Sequence, residues 1–148
     1  MYYNTVSEQV LEYLQKLMAN SAFDDFVLVG GTALSLQLGH RESVDIDFFT
    51  SEMYGSIDMQ NIKKVLLEMF EYTEWLHELD ERSMVYCLHI GKNRKETVKL
   101  DLCYTEEFIR PIIEQDGVRI ASLEDIAAMK LQAITSRKKR KDFWDIYE

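Results

Sequence analysis

Residues 26–50 constrain the fold of this chain more than any other stretch of its sequence. The apolar run at 26–29 has the bounded, β-branched character of a short buried strand. The Gly-Gly-Thr sequence at 30–32 interrupts that run where backbone N–H groups can face a phosphate. A short helix is predicted over 33–38. The stretch therefore predicts a strand, a glycine turn and a helix in succession, with a second strand to follow.

The second strand is predicted at 44–49, where apolar residues alternate with acids. Period-2 alternation places Val44 and two further apolar residues on one face and Asp45 and Asp47 on the other. At the rise of a β-strand the two acids lie about 6–7 Å apart at the backbone. Both carboxylates can then converge on one pair of divalent ions. The alternative, acids at solvated strand ends, is less consistent with a run of buried character, because unpaired buried acids are costly.

A β-hairpin is predicted later in the chain, because β-rich runs at 84–90 and 97–104 flank a polar, turn-like connector. In the second run apolar residues alternate with Lys99, Asp101 and Cys103. An acid therefore again stands opposite an apolar face. Asp101 is a candidate third carboxylate, with a solvated strand acid as the alternative.

Helices are predicted where apolar residues recur every three or four positions. The hydroxyl of Ser122, three residues before Asp125, resembles a capping box at the start of one of them. Residues 72–82 leave helix and strand open, and 117–120 indicate a short edge strand. Together the elements predict an α/β (α+β) protein with one domain over residues 1–148. Besides the short helix at 33–38, the predicted helices span 5–19, 58–71, 123–136 and 141–148.

Length and composition support a packed core, since 47% of the 148 residues are hydrophobic. No run approaches the ~18 apolar residues of a membrane span, and the N-terminus lacks a secretion signal. We therefore expect a cytoplasmic protein that has no membrane partner. Cys87 and Cys103 lie in apolar strand-like runs and are predicted to be buried thiols.

Charge is unevenly distributed along the chain. The net charge of −9 argues against a general nucleic-acid-coating surface. Residues 137–141 nevertheless form an unbroken basic run, for which a solvated face is the usual interpretation and an RNA-backbone contact is the functional alternative. The aromatic residues that follow are assigned to packing: Phe143, Trp144 and Tyr147.

Three segments share an order and spacing of motifs: LVGGTALSLQLGHRESVDIDFF, a later VKLDL, and the terminal AAMKLQAITSRKKRKDFWDIYE. This combination resembles the AbiEii/AbiGii toxin family of nucleotidyltransferases, a branch of the polymerase-β-like superfamily. The resemblance implies the polymerase-β-like nucleotidyltransferase fold, a small mixed sheet flanked by helices. Family members are usually longer, so we expect their C-terminal helical region to be absent or truncated here.

The resemblance also implies a two-metal reaction that uses an NTP. Asp45 and Asp47 match the two metal-binding acids of the superfamily, and Asp101 matches the third, as ligand or base. Hard divalent cations prefer carboxylate ligands, so two Mg²⁺ ions, with Mn²⁺ as a substitute, are the expected cofactors.

Nucleotide contacts are implied on both sides of these acids. Gly31 and Thr32 match the glycine–hydroxyl turn that holds the triphosphate, and Gly30 is part of the same turn. A helix N-terminus at that point would favour an anion. Arg41 precedes the acids and is a candidate phosphate contact, with a surface-loop arginine as the alternative.

Lys130, Asp142 and Asp145 fit the C-terminal motifs of the family. Lys130 is interpreted as a triphosphate contact, or as a lysine whose stem covers the edge of an apolar face. Asp142 and Asp145 are three residues apart and share one helix face. They can orient Lys130 or Arg41, bind the nucleotide, or balance the basic run.

The expected function is metal-dependent transfer of a nucleoside monophosphate from an NTP to an acceptor hydroxyl. The protein would be the toxin of a type IV toxin–antitoxin or abortive-infection system, with tRNA or another RNA as acceptor and an antitoxin as partner. Two alternatives stay open. One is a small-molecule nucleotidyltransferase of the antibiotic-modifying kind, and the other is a catalytically silent nucleotide- or protein-binding module of the same fold.

Overall fold

The strands of this chain form one mixed sheet in a computed structural model that describes residues 1–137 and 139–147, without the side chain of residue 137. Lys138 and Glu148, which belong to the predicted basic run and last helix, lie outside the described residues. In chain order the described strands are β1 Val27–Val29, β2 Ile46–Thr50, β3 Tyr72–Trp75, β4 Val85–Asn93, β5 Glu96–Tyr104, β6 Ile113–Gln115 and β7 Val118–Ile120.

The order of strands across the sheet is β3-β4-β5-β2-β1-β7-β6. Strand β2 runs parallel to β5, and β1 runs parallel to β7. The other neighbours are antiparallel, including the predicted hairpin of β4 and β5. The sheet is therefore mixed, as the fold class predicted.

Helices pack against several strands of this sheet. Two of them begin at a side-chain cap: for α1 the Ser7 hydroxyl accepts a hydrogen bond from the Val10 N–H at 3.2 Å, and for α3 the Asp58 carboxylate accepts one from the Asn61 N–H at 2.9 Å. At α4 the Asp125 N–H donates to the Ser122 hydroxyl at 3.0 Å, the first bond of the predicted capping box, and this hydroxyl donates to Asp125 Oδ2 at 2.9 Å, in place of the backbone N–H of Ser122. The described helices are α1 Glu8–Met18, α2 Gly30–Leu38, α3 Met59–Met69, α4 Leu123–Arg137 and α5 Arg140–Tyr147.

The hydrophobic core lies on one face of the central strands. Ile46 and Phe48 of β2 are fully buried in one cluster with Leu100 of β5. Leu14 of α1 and Leu66 of α3 belong to the same cluster. Because side chains alternate along a strand, the residues between these core positions face the other side of the sheet. The core thus anchors the strands that carry the acids.

Three predictions about local structure are wrong in position. Val44 is 63% exposed because β2 begins only at Ile46, so Asp45 precedes the strand. Helix α2 begins at Gly30, earlier than predicted, and so includes the Gly-Gly-Thr sequence. The strand at Val118–Ile120 is not at the edge, because β6 pairs with its outer side.

The structure also resolves segments that the sequence left open. Residues 72–75 form a strand that pairs with β4. The thiol of Cys103 is buried as predicted, whereas Cys87 is only partly buried. The assignment of the C-terminal aromatic residues to packing is wrong, because α5 directs them to solvent: Phe143, Trp144 and Tyr147 are 51%, 52% and 82% exposed. Among the described residues, no helix combines the length and apolar character needed to cross a membrane.

Candidate active site

A cavity of about 790 Å³ lies on the sheet face opposite the core, bounded by residues of α4 and the α4–α5 connection. Its size falls in the range of small-molecule sites. Seven predicted site residues line the cavity, whereas Thr32, Asp142 and Asp145 do not. The seven are Gly30, Gly31, Arg41, Asp45, Asp47, Asp101 and Lys130.

Two acids lie side by side at the centre of the cavity. Asp47 of β2 and Asp101 of β5 are register partners on adjacent parallel strands. Asp47 also pairs with Val29, the last residue of β1, directly before the glycines. Asp45 lies two residues earlier, with its side chain 37% exposed and 3.9 Å from the Lys141 ammonium. The sheet therefore gathers all three predicted carboxylates.

This gathering of negative charge changes the acidity of Asp47. Burial raises its pKa to about 6, and the carboxylates of Asp101 and Asp45 act in the same direction. Lys99 and Lys130 act more weakly in the opposite direction. Asp47 is thus an acid held where its charge is not fully compensated by the protein.

Asp101 is bonded on one carboxylate oxygen only. The Lys99 ammonium lies 2.5 Å from Asp101 Oδ2, while Asp101 Oδ1 is buried and has no hydrogen-bond partner among the described residues. Cys87 is the register partner of Asp101 on β4. Burial, with the nearby charge of Asp101 acting in the same direction, raises the pKa of the Cys87 thiol to about 11. Cys87 is therefore an uncharged neighbour of the acids at neutral pH.

Both glycines allow a close approach of functional groups to the start of α2. At Gly30, where φ is +71°, a Cβ atom would come within 2.0 Å of Asp47 Oδ2. At Gly31, a Cβ atom would come within 2.6 Å of a terminal guanidinium nitrogen of Arg41. A side chain at Gly30 would displace the Asp47 carboxylate, whereas one at Gly31 would require the Arg41 guanidinium to shift. Because the glycines lack side chains, the first turn of α2 lies close to Asp47 and Arg41.

The Thr32 hydroxyl has a structural role. Thr32 is fully buried, and its hydroxyl contacts Ser43 Oγ at 2.9 Å and donates to the Asp45 carbonyl. It therefore holds the loop that enters β2 and positions Asp45. A contact between this hydroxyl and a triphosphate stays a prediction.

A buried ion-pair cluster centred on Asp145 of α5 adjoins the cavity. The Arg41 guanidinium donates to both carboxylate oxygens of Asp145, at 2.6 and 2.9 Å. Lys130 of α4 lies 2.8 Å from Asp145 and 3.0 Å from Asp142. His40 Nε2 lies 2.9 Å from Asp145. The cluster thus ties α5 to α4 and to the loop before β2.

The charges of this cluster compensate one another. Burial alone would raise the pKa of Asp145, but hydrogen bonds from Arg41, Lys130 and His40 hold it well below its usual value. The bond to Asp145 in turn raises the pKa of Arg41. Of the roles predicted for the two acids of α5, orientation of Lys130 and Arg41 is the one with direct contacts. Nucleotide binding by Asp142 and Asp145 stays a prediction.

A divalent ion fits the chemistry of the three carboxylates. Within residues 1–137 and 139–147, no three His, Cys, Asp or Glu side chains are already closed around one point. A bound cation would nevertheless give the unpartnered Oδ1 of Asp101 a partner and would compensate the charge at Asp47. Carboxylate oxygens are the ligands that Mg²⁺ and Mn²⁺ prefer. The chemistry of the donor set therefore fits a hard cation.

Sequence reasoning missed three partners within the site. Lys99 shares the face of Asp101 by alternation, a signal that was present in the sequence, but its ion pair depends on side-chain conformation. Ser43 and His40 precede the acids in sequence. Their partners, Thr32 and Asp145, are set by the tertiary fold and have no local signal.

The fold and the acid pair place the chain in the class of nucleotidyltransferase folds. The family described as "Nucleotidyl transferase AbiEii toxin, Type IV TA system" matches residues 12–148. The chain belongs to this AbiEii family, as the sequence resemblance predicted.

Two further comparisons identify similar proteins. The "Uncharacterized protein aq_aa25" of Aquifex aeolicus (strain VF5) is 30% identical over 144 residues, which cover 92% of this chain and 63% of that protein. The chain therefore spans less than two thirds of the length of this curated relative. The crystal structure of the Megavirus polyadenylate synthase superposes with a TM-score of 0.58 at 14% identity, covering 95% of this chain and 29% of that one. This second similarity is one of fold.

Proposed function

We propose that this chain transfers a nucleoside monophosphate from an NTP to an acceptor hydroxyl with the help of divalent ions. The observation that supports this most strongly is the register pairing of Asp47 with Asp101 on the cavity floor, beside Gly30. Membership of the AbiEii family supports the same chemistry.

Asp45, Asp47 and Asp101 would hold two Mg²⁺ ions, or Mn²⁺ ions in their place. When bound, such ions neutralise phosphate charge and favour deprotonation of an attacking hydroxyl. The Asp101 carboxylate would take the proton of that hydroxyl, as a general base. The acceptor oxygen then bonds to the α-phosphorus while the bond to the bridging oxygen breaks, and pyrophosphate leaves.

Other residues of the chain would bind the triphosphate. The N–H groups of Gly30 and Gly31 lie in the first turn of α2, where backbone donors and the helix dipole favour an anion. Arg41 and Lys130 line the same cavity and add positive charge. The Lys130 ammonium has three donors, and its two carboxylate partners account for two of them.

An RNA, with tRNA as the first candidate, is the proposed acceptor. Lys139 and Lys141 line the cavity, and Arg140 is exposed between them in sequence. This part of the basic run therefore offers cations to a phosphate backbone next to the acids. The family description supports a type IV toxin–antitoxin setting with an antitoxin as partner.

The test is a transfer assay with α-labelled NTPs, Mg²⁺ and bulk tRNA. Label should enter RNA with the wild type and with Asp24→Asn, a matched charge change at an exposed site outside the cavity lining. Asp47→Asn should abolish it. Label on a hydroxylated small molecule instead of RNA would favour the antibiotic-modifying type of enzyme. Failure of the wild type both to label an acceptor and to bind NTP would contradict the proposal.

A further inference from the structure

The geometry points to Lys99 as an internal counter-ion of the acid cluster, whose positive charge at Asp101 opposes the binding of a divalent ion beside it. This inference rests on the proposed metal site. It assigns to Lys99 a role in setting metal affinity that is separate from the chemical step.

The first support is the contact itself. Lys99 and Asp101 are two residues apart on β5, on the same face, and both line the cavity. The ammonium lies 2.5 Å from Asp101 Oδ2, with the Lys99 side chain 35% and the Asp101 side chain 18% exposed. A cation thus already lies at one of the oxygens that a metal ion would use.

The second support is that the neighbouring cations are committed elsewhere. The Lys130 ammonium is bonded to the buried carboxylates of Asp142 and Asp145. Lys141 lies 3.9 Å from Asp45 with half of its side chain exposed. Among the described cations, Lys99 is therefore the one in direct contact with Asp101. Its charge also opposes the rise in the pKa of Asp47.

Competition follows from electrostatics. An ammonium at Oδ2 of Asp101 and a divalent ion at the open Oδ1 of the same carboxylate repel each other, so the charge of Lys99 opposes metal binding. The lysine stem is long and flexible, which lets the ammonium leave Asp101 without disturbing β5. Wild-type affinity for a divalent ion is thus reduced either by the repulsion from Lys99 or by the free energy needed to break the Lys99–Asp101 pair.

The test measures Mn²⁺ binding without nucleotide, by the electron paramagnetic resonance signal of free Mn²⁺. Lys99→Met keeps the apolar stem and removes the charge, and its Kd for Mn²⁺ should be lower than that of the wild type by a factor on the order of ten. Lys95→Met, the same change at an exposed position of the β4–β5 turn, should bind like the wild type. Lys99→Gln, which keeps a neutral donor, should also bind more tightly and serves as the second variant if Lys99→Met folds poorly.

Two controls separate this inference from a general charge effect. In an Asp101→Asn background, the substitution Lys99→Met should change the Kd, measured against Asp101→Asn itself, by a smaller factor than in the wild type, because the pair is already broken. Saturating Mn²⁺ should raise the Tm of Lys99→Met more than that of the wild type, since a ligand that binds the folded state more tightly stabilises it more.

The outcomes distinguish failure of the inference from failure of the metal site. Wild-type binding of Mn²⁺ with equal or weaker binding by both Lys99 variants would overturn the counter-ion role and leave the proposed function intact. Absence of Mn²⁺ binding by the wild type and by both variants would overturn the metal site and the counter-ion role together. Binding of Mn²⁺ by both Lys99 variants but not by the wild type would support the inference, because Lys99 would then prevent metal binding altogether.

Discussion

Asp47 and Asp101 are register partners on adjacent parallel strands, and both carboxylates face one cavity. The arrangement is unfavourable for the protein alone, because burial and the neighbouring acids raise the pKa of Asp47 to about 6. Perturbed acids of this kind cluster at functional sites. The pair is therefore the feature on which the functional account depends.

Asp47→Asn should stabilise the metal-free protein at neutral pH. The folded pKa of about 6 exceeds the usual value of about 3.9, so the contribution of Asp47 to stability is present below pH ~4 and is lost as the pH rises through 6. The variant should exceed the wild type by on the order of 2 kcal/mol at pH 7, with no difference at pH 4. Urea denaturation across this range measures it, and equal stability at every pH would contradict the burial of an uncompensated charge.

Asp145→Asn should destabilise the protein at neutral pH, because it leaves Lys130 and Arg41 without their shared carboxylate. Breaking a buried ion pair of this kind costs about 3 kcal/mol. The folded pKa of Asp145 is depressed, so its contribution is present at neutral pH and is lost as the pH falls below the usual range of an aspartate.

The matched control for this change is Asp80→Asn, which removes an exposed ion pair with Arg82 and should leave stability unchanged. Thermal unfolding of both variants at pH 7 provides the comparison. A wild-type Tm for Asp145→Asn would show that the cluster does not hold α5 in place.

Gly30→Ala should impair metal binding beyond its effect on the backbone. Both Gly30 and Gly55 have positive φ, +71° and +80°, so alanine costs about 1 kcal/mol of strain at either position. Only at Gly30 does the new Cβ meet Asp47, whereas at Gly55 nothing lies within 4 Å of it. Gly30→Ala should therefore lose Mn²⁺ binding and Gly55→Ala should retain it. Titration of Mn²⁺ with both variants decides this, and retention by both would place Asp47 outside the metal site.

Thr32→Val should lower stability even without nucleotide. The change removes a buried hydroxyl that contacts Ser43 and the Asp45 carbonyl, at a cost of about 1–2 kcal/mol. Thr32→Ser keeps the hydroxyl and should retain most of this stability. If Thr32→Val unfolds like the wild type and loses only NTP affinity, the hydroxyl contacts the triphosphate instead of holding the loop.

Local sequence patterns predict the elements of the site well. Alternation in β2 and β5 identifies Asp47 and Asp101 as residues opposite an apolar face, because the core fixes which face is buried. The glycines at the start of α2 are also predictable from the sequence, since few residues tolerate the positive φ of Gly30.

Contacts between distant segments are not encoded in such patterns. The partner of Lys99 depends on a side-chain conformation, and Asp145 meets Arg41 only after α5 has docked. Val44 was misplaced because alternation does not reveal where a strand begins. The aromatic residues of α5, such as Trp144, were misassigned because composition alone does not tell a buried helix face from an exposed one.

The most direct test of the account is to compare α-labelled with γ-labelled NTP in parallel reactions with the acceptor found to be active. Nucleotidyl transfer breaks the bond between the α and β phosphates, so the α label should enter the acceptor and the γ label should leave in pyrophosphate. Both signals should disappear with Asp47→Asn. Transfer of the γ label to the acceptor, or equal labelling by Asp47→Asn, would contradict the assignment of nucleotidyl transfer to these acids.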